Sequence, residues 1–143
     1  MSSGFTMVDI FTPEKRSKIM SSIKGKDTKI EIMLRKALWK EGLRGYRVNT
    51  KLPGKPDIVF TKYKIAIFCD GDFWHGKDFD EWKGRLTPHW LDKIQKNIER
   101  DRRNDLTLLN QGWHIYHFWE SEILDNVERC GNIVRKKLDE MRN

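Results

Sequence analysis

A mixed α/β domain, a central mixed sheet flanked by helices, is the fold class that this sequence predicts. Three observations carry the expectation. Helical and strand-like segments follow one another in the order α-α-β-β-β-α-β-α. The helical segments carry start and stop signals of their own. No internal repeat or low-complexity linker divides the 143 residues, a length that suits one domain with a real core. The expected division is a flexible arm over 1–11, where "MSSGFT" is small and polar and Met7 is an alternative start, and a single domain over 12–143.

The first helix is expected in "TPEKRSKIMSSIKG", with Thr12 as N-cap, Pro13 in the first turn and Gly25 after the end. Asp27 or Thr28 can cap a second helix that runs to about Glu41 and stops at Gly42. Its residues Ile30, Met33, Leu34, Ala37 and Leu38 share one face, and Glu31 sits on the margin of that face. "GYRVN", "DIVF" and "KIAIFC" read as strands, the first separated from the others by a turn at "LPGKP". A long helix is expected from Thr87 and Pro88 to just before Gly112. "WHIYHFW" is a fourth strand, and from Ser121 a last helix carries Ile123, Val127, Cys130, Val134 and Leu138 on one stripe.

A net charge of +7 suits a polyanionic partner, and it is also an ordinary route to solubility. Cys69 and Cys130 are the two cysteines, too few for a disulfide framework or a thiolate cluster, and they fit a reducing interior. No apolar run approaches the ~20 residues that span a bilayer, and nothing reads as a signal peptide.

Chemistry concentrates in "FCDGDFWHGKDF", which follows a core strand with Asp70, Asp72, His75, Phe73 and Trp74. On the long helix, Trp90, Ile94, Asn97, Asp101 and Leu108 fall on one arc, with Leu91, Ile98 and Leu109 beside it. A carboxylate that edges an apolar arc needs a cation or a donor, and His75 is a candidate partner for Asp101; a surface aspartate is the plain alternative. Lys93, Lys96, Arg100 and Arg103 gather on another side, as phosphate contacts or as a solvated face. Asp57 opens one strand and Cys69 closes the next, so a tight turn brings their ends together. Hard oxygens of that kind suit Mg2+, and a turn-forming aspartate after proline is the alternative. Phe73 and Trp74 lie between glycines and either cap the core or wedge between base steps.

"KDTKIE", "LPGKPDIVF", "GDFWH", "PHWLDKIQKNIERDRRND" and "GWHIYHFWES", in this order and spacing, resemble the very-short-patch-repair mismatch endonucleases from about Lys15 to Ser121. The resemblance implies a restriction-endonuclease-like fold and Mg2+-dependent nicking of one DNA strand beside a T·G mismatch. It implies a metal held by Asp57 and the Cys69 backbone carbonyl, a catalytic His75 supported by Asp101 with Asn97 beside it, and Glu31 completing the site. Phe73, Trp74 and Trp90 match aromatics that intercalate next to the mismatch. Double-stranded DNA is the implied partner, met by a monomer with downstream repair proteins, in a prokaryotic, nucleoid-associated cytoplasmic setting and away from any membrane. Relatives hold this loop with a zinc bound by three cysteines and a histidine. The corresponding places here are Asp72, Lys77, Phe79 and Ser121, so no structural zinc is expected. Asp70 stands where some relatives carry a histidine that assists the reaction; it is either an added metal ligand or acidic filler. The other readings are a sequence-specific restriction or homing endonuclease of the same fold, and a non-catalytic nucleic-acid-binding module.

Overall fold

The computed structural model describes residues 28–48 and 50–142, so the helix expected over 12–25 and the arm before it lie outside the described residues. Within them the elements run α1 (Lys29–Lys40), β1 (Ile58–Phe60), β2 (Ile65–Asp70), α2 (Phe79–Trp82), α3 (Pro88–Asn110), β3 (His114–Trp119) and α4 (Glu120–Arg142). The strands form one mixed sheet in the order β1-β2-β3, antiparallel between β1 and β2 and parallel between β2 and β3. A parallel pair needs a crossover connection, and α3 supplies it. This is the mixed α/β architecture expected of a restriction-endonuclease-like domain.

Period-two alternation assigns the two faces of the sheet. Ile58, Phe60, Ile65, Ile67 and Phe118 join Leu34 and Leu38 of α1 and Ile123, Val134 and Leu138 of α4 in the larger core. Val59, Ala66 and Phe68 point the other way, onto Leu108 of α3 and Trp113. Each fully buried Leu or Ile among these contributes about 1.5–3 kcal/mol of hydrophobic stabilisation. The helix-period residues of α1 and α4 therefore fix one layer, and those of α3 fix the other. Between β2 and α3 the chain builds a satellite cluster on Leu86, with Phe73, Phe79, Trp82, Trp90 and Leu91 packed around it.

Several expectations shift. "GYRVN" contributes only an isolated bridge, with Arg47 and Val59 exchanging backbone hydrogen bonds of 2.7 and 2.8 Å. Gly45 at φ +83° turns the chain just before it, which shortens the pairing. β1 starts after Asp57, and β2 ends on Asp70 rather than Cys69. The short α2 carried no readable period at four residues. α4 bends at Asn126, whose backbone leaves the helical region and whose side-chain oxygen accepts from the Arg129 N–H at 3.1 Å, recapping the following turns. Leu109, expected beside the apolar arc of α3, is exposed.

α1 and α4 meet where Gly131 has no side chain: a Cβ there would lie 3.3 Å from the Ala37 Cβ and 3.4 Å from its carbonyl. Gly131→Leu is expected to cost about 1–3 kcal/mol by overpacking. Thermal unfolding should show a fall of several degrees, whereas Gly84→Ala, which faces open space, should leave the melting temperature unchanged. An unshifted midpoint for Gly131→Leu would contradict this packing.

Candidate active site

α3 holds the loop that follows β2. The loop folds on itself, with the His75 N–H donating to the Gly71 carbonyl at 3.1 Å and the Lys77 N–H to the Asp72 carbonyl at 2.9 Å. Gly76 sits at φ +73°, and a Cβ there would come within 2.5 Å of Ile98 Cδ1, so only glycine lets the loop lie this close to the helix. Residues four apart share a helix face, and α3 places three polar residues at this spacing. Asn97 donates its side-chain amide to the Trp74 carbonyl at 3.0 Å. Asp101 Oδ2 lies 2.6 Å from His75 Nδ1. Asp105 lies 2.8 and 2.9 Å from Nε2 of His117, on β3.

The two histidines thereby acquire different chemistry. His117 faces carboxylates with both nitrogens, since its Nδ1 is 2.7 Å from Asp70 Oδ2. Two acceptors require two N–H donors, so the ring is held as imidazolium. Burial opposes that charge, but Asp70 and Asp105 outweigh it and lift the pKa to about 9. His75 has one nitrogen committed to Asp101, and its Nε2 stands 4.0 Å from Asp70 Oδ1, beyond a direct hydrogen bond. Burial pulls the pKa of His75 down, and the Asp101 hydrogen bond with the charges of Asp70 and Asp101 raises it above its ordinary value. Of the two rings, His75 keeps a nitrogen able to take a proton.

The acids lie at the same edge. The Asp57 N–H donates to Ile67 O at 2.9 Å, and Asp57 Oδ2 accepts the Cys69 N–H at 2.6 Å. Glu31 is buried on α1 and accepts from the Thr28 hydroxyl at 2.8 Å, while Asp70 is buried at the end of β2. Burial is the main reason that the Asp57 pKa rises to about 7; the Cys69 N–H opposes the rise, the negative charges of Glu31 and Asp70 add to it, and His75 reduces it. The Cys69 thiol is pushed well up, chiefly by burial, and does not act as a thiolate.

Such an edge suits a small hard cation. Asp57 and the Cys69 backbone offer hard oxygens, and among the described residues no three His, Cys, Asp or Glu side chains converge on one point. Mg2+ commonly takes one or two carboxylates and keeps its waters, so the set fits it better than an all-protein cage. The zinc positions of the resembling family do not fit zinc. Asp72 Oδ1 accepts the Ser121 N–H at 3.3 Å, Lys77 and Phe79 offer no thiol or imidazole, and the Trp82 indole donates to the Lys77 carbonyl at 2.7 Å. Hydrogen bonds and the Leu86 aromatic cluster hold the loop.

The structure brings Phe73, Trp74 and Trp90 together, with ring centroids 5.4, 5.7 and 5.6 Å apart pairwise, and Phe73 stacks on Trp82 at 5.5 Å. All three are half-buried. Lys93 lies 5.7 Å over Trp74, Lys96 pairs with Asp92 at 3.0 Å, Arg100 reaches Asp101 at 3.4 Å, and Arg103 is exposed. Asp105 and His117 escaped sequence reasoning. Their available signals were the 97-101-105 spacing and the period-two placement of His117 with Ile115 in β3.

The family model described as DNA mismatch endonuclease Vsr matches residues 8–81. The type II nicking enzyme V.NmeDIP of Neisseria meningitidis serogroup C is 44% identical over 133 residues, covering 90% of this chain and 89% of that protein. V.HpaIIP of Haemophilus parainfluenzae, also a type II nicking enzyme, is 42% identical over 137 residues, 93% of this chain and 97% of its own. The DNA mismatch endonuclease Vsr of Escherichia coli (strain K12) is 35% identical over 136 residues, 94% of this chain and 87% of that one.

A carboxyl whose pKa is raised on folding favours the fold below its unfolded value and withdraws that support as pH rises through the folded one. For Asp57 the window runs from 3.8 to about 7. In EDTA, wild type should therefore lose melting temperature relative to Asp57→Asn as pH rises from about 4 to about 7. Added Mg2+ should recover the loss in wild type alone. Parallel pH profiles for the two proteins would remove the buried charge from the account.

Proposed function

Because this chain belongs to the DNA mismatch endonuclease Vsr family, we propose that it nicks one strand of duplex DNA beside a T·G mismatch in a Mg2+-dependent reaction. That it is a DNA nicking endonuclease follows from the family and from the nicking-enzyme relatives. The observation that carries the catalytic reading is the His75–Asp101 contact of 2.6 Å, with the half-buried Asp57 before β1 close enough to feel the charge of His75. The Cys69 N–H, which donates to Asp57 Oδ2 at 2.6 Å, ties the start of β1 to the end of β2 and supports reading the two residues as one metal-binding pair.

Asp57 and the Cys69 carbonyl would hold Mg2+, which when bound offsets negative charge on the phosphate and the leaving oxygen. Glu31 orients water on the helix side. His75, with Nδ1 fixed by Asp101, takes a proton from the attacking water at Nε2. The water oxygen bonds to phosphorus as the bond to the leaving sugar oxygen breaks, and that oxygen finally takes up a proton from solvent. Lys93, Lys96, Arg100 and Arg103 contact backbone phosphates, which positions a monomer on the duplex without reading bases. Phe73, Trp74 and Trp90 wedge into the stack; a mismatched step opens at lower cost, so the wedge itself favours mismatches. Asn97 serves DNA binding through Trp74, whose carbonyl it holds.

Labelled matched and T·G duplexes, incubated with Mg2+ or EDTA, test the reading. Nicking confined to the T·G duplex and abolished by EDTA is expected. Equal cleavage of a matched site would favour a sequence-specific nuclease of the same fold, and undiminished nicking in EDTA would remove the metal. Since His75 must be neutral to accept a proton and its pKa is raised above 6.5, the rate should climb as pH passes upward through that raised value. Trp74→Ala should lower mismatch nicking about tenfold or more while preserving the melting temperature, given stacking energies of about 1–3 kcal/mol per base. Loss of stability with normal nicking per folded molecule would make these rings a core cap only.

A further inference from the structure

We propose that His117, braced by Asp105, is a positioning residue for strand nicking that holds Asp70 with its free oxygen turned toward His75. The inference rests on the reading of His75 as the base. Phe68 and Asp70 are two residues apart on β2 and share the face covered by α3, and His117 stands opposite Phe68 in the parallel ladder. His117 stacks on Phe68, centroids 4.6 Å apart and planes 13° from parallel, which fixes the ring plane. Its Nδ1 takes Asp70 Oδ2 at 2.7 Å, and Asp105 takes its Nε2.

Asp70 therefore cannot turn freely. One oxygen is held, and the other, Oδ1, is set 4.0 Å from His75 Nε2. That separation exceeds a direct hydrogen bond and suits two groups that address one water between them. His75 Nε2 is the nitrogen left after Asp101 takes Nδ1. The five side chains form an alternating row, Asp105, His117, Asp70, His75, Asp101, anchored at both ends on α3. A buried carboxylate without such a partner would carry the full penalty of a desolvated charge. Asp70 in this row orients the water for His75 instead of serving as a third ligand beside Asp57.

A double-mutant cycle on single-turnover nicking of a T·G duplex tests the role. His117→Ala should slow the wild type by about tenfold to a hundredfold, as loss of an outer partner commonly does. In the Asp70→Asn background the same change should matter by less than about twofold, because His117 acts through Asp70. The apparent affinity for DNA should stay constant throughout. Equal losses in both backgrounds, or a wild-type rate for either single variant, would overturn the proposal. Should Asp70→Asn be too slow to compare, His117→Gln decides, since its amide restores a donor to Asp70. Rates above those of His117→Ala support the role, and rates equal to them contradict it. Should His117→Ala fail to fold, Asp105→Asn replaces it in the cycle with the same two outcomes. His75→Ala separates the two levels: normal nicking there refutes the base assignment, whereas loss of nicking with an additive cycle refutes only His117.

Discussion

The four-residue spacing of Asn97, Asp101 and Asp105 along α3 is the constraint on which the active edge depends. A helix returns to the same face at that interval, so one rigid element meets a loop carbonyl, a loop imidazole and a strand imidazole in succession. The helix is itself fixed by Ile94 and Leu108, both fully buried, the latter packed on the sheet with Phe68 and Val59. Packing on one side of α3 thus sets the coordinates of the polar groups on its margin. A site built on a helix and a strand end is placed more firmly than one built on loops alone.

Electrostatics complete the picture. Burial chiefly, and the negative charges of Glu31 and Asp70 in addition, raise the cost of ionising Asp57 at the sheet edge. A fold that stores like charges in this way gives up stability where it acts. Two imidazoles answer the charge differently. His117 is committed to two carboxylates, whereas His75 gives one nitrogen to Asp101 and holds the other 4.0 Å from Asp70, beyond a direct hydrogen bond. The loop that follows β2 is stabilised by aromatic packing on Leu86 and by the hydrogen bond from the Ser121 N–H to Asp72.

Much of this was legible in the sequence because it follows from periods. The 3.6-residue period put Asp101 on the margin of an apolar arc and so called for a partner, and the structure provides His75. The apolar faces of α1 and α4 were equally readable from Leu34, Leu38, Val134 and Leu138. What escaped depends on tertiary placement. Asp105 lies farther round the helix, and its need for a partner appears only once β3 is beside it. His117 hides in "WHIYHFW", where aromatic and aliphatic neighbours and a second histidine, His114, give it no mark of its own. "GYRVN" has strand propensity but little sheet to pair with, so propensity gave way to context. The four-residue α2 is too short to show a period, and its packing comes from rings that the sequence scatters over 73–90.

The hold of α3 on His75 through Asp101 is the link on which nicking depends most directly. The measurement is the single-turnover nicking rate of Asp101→Asn on a saturating T·G duplex, with melting temperature and DNA affinity taken alongside. A rate lower by about tenfold to a hundredfold, with a folded protein and unchanged affinity, is expected. A wild-type rate in a folded Asp101→Asn protein would contradict it.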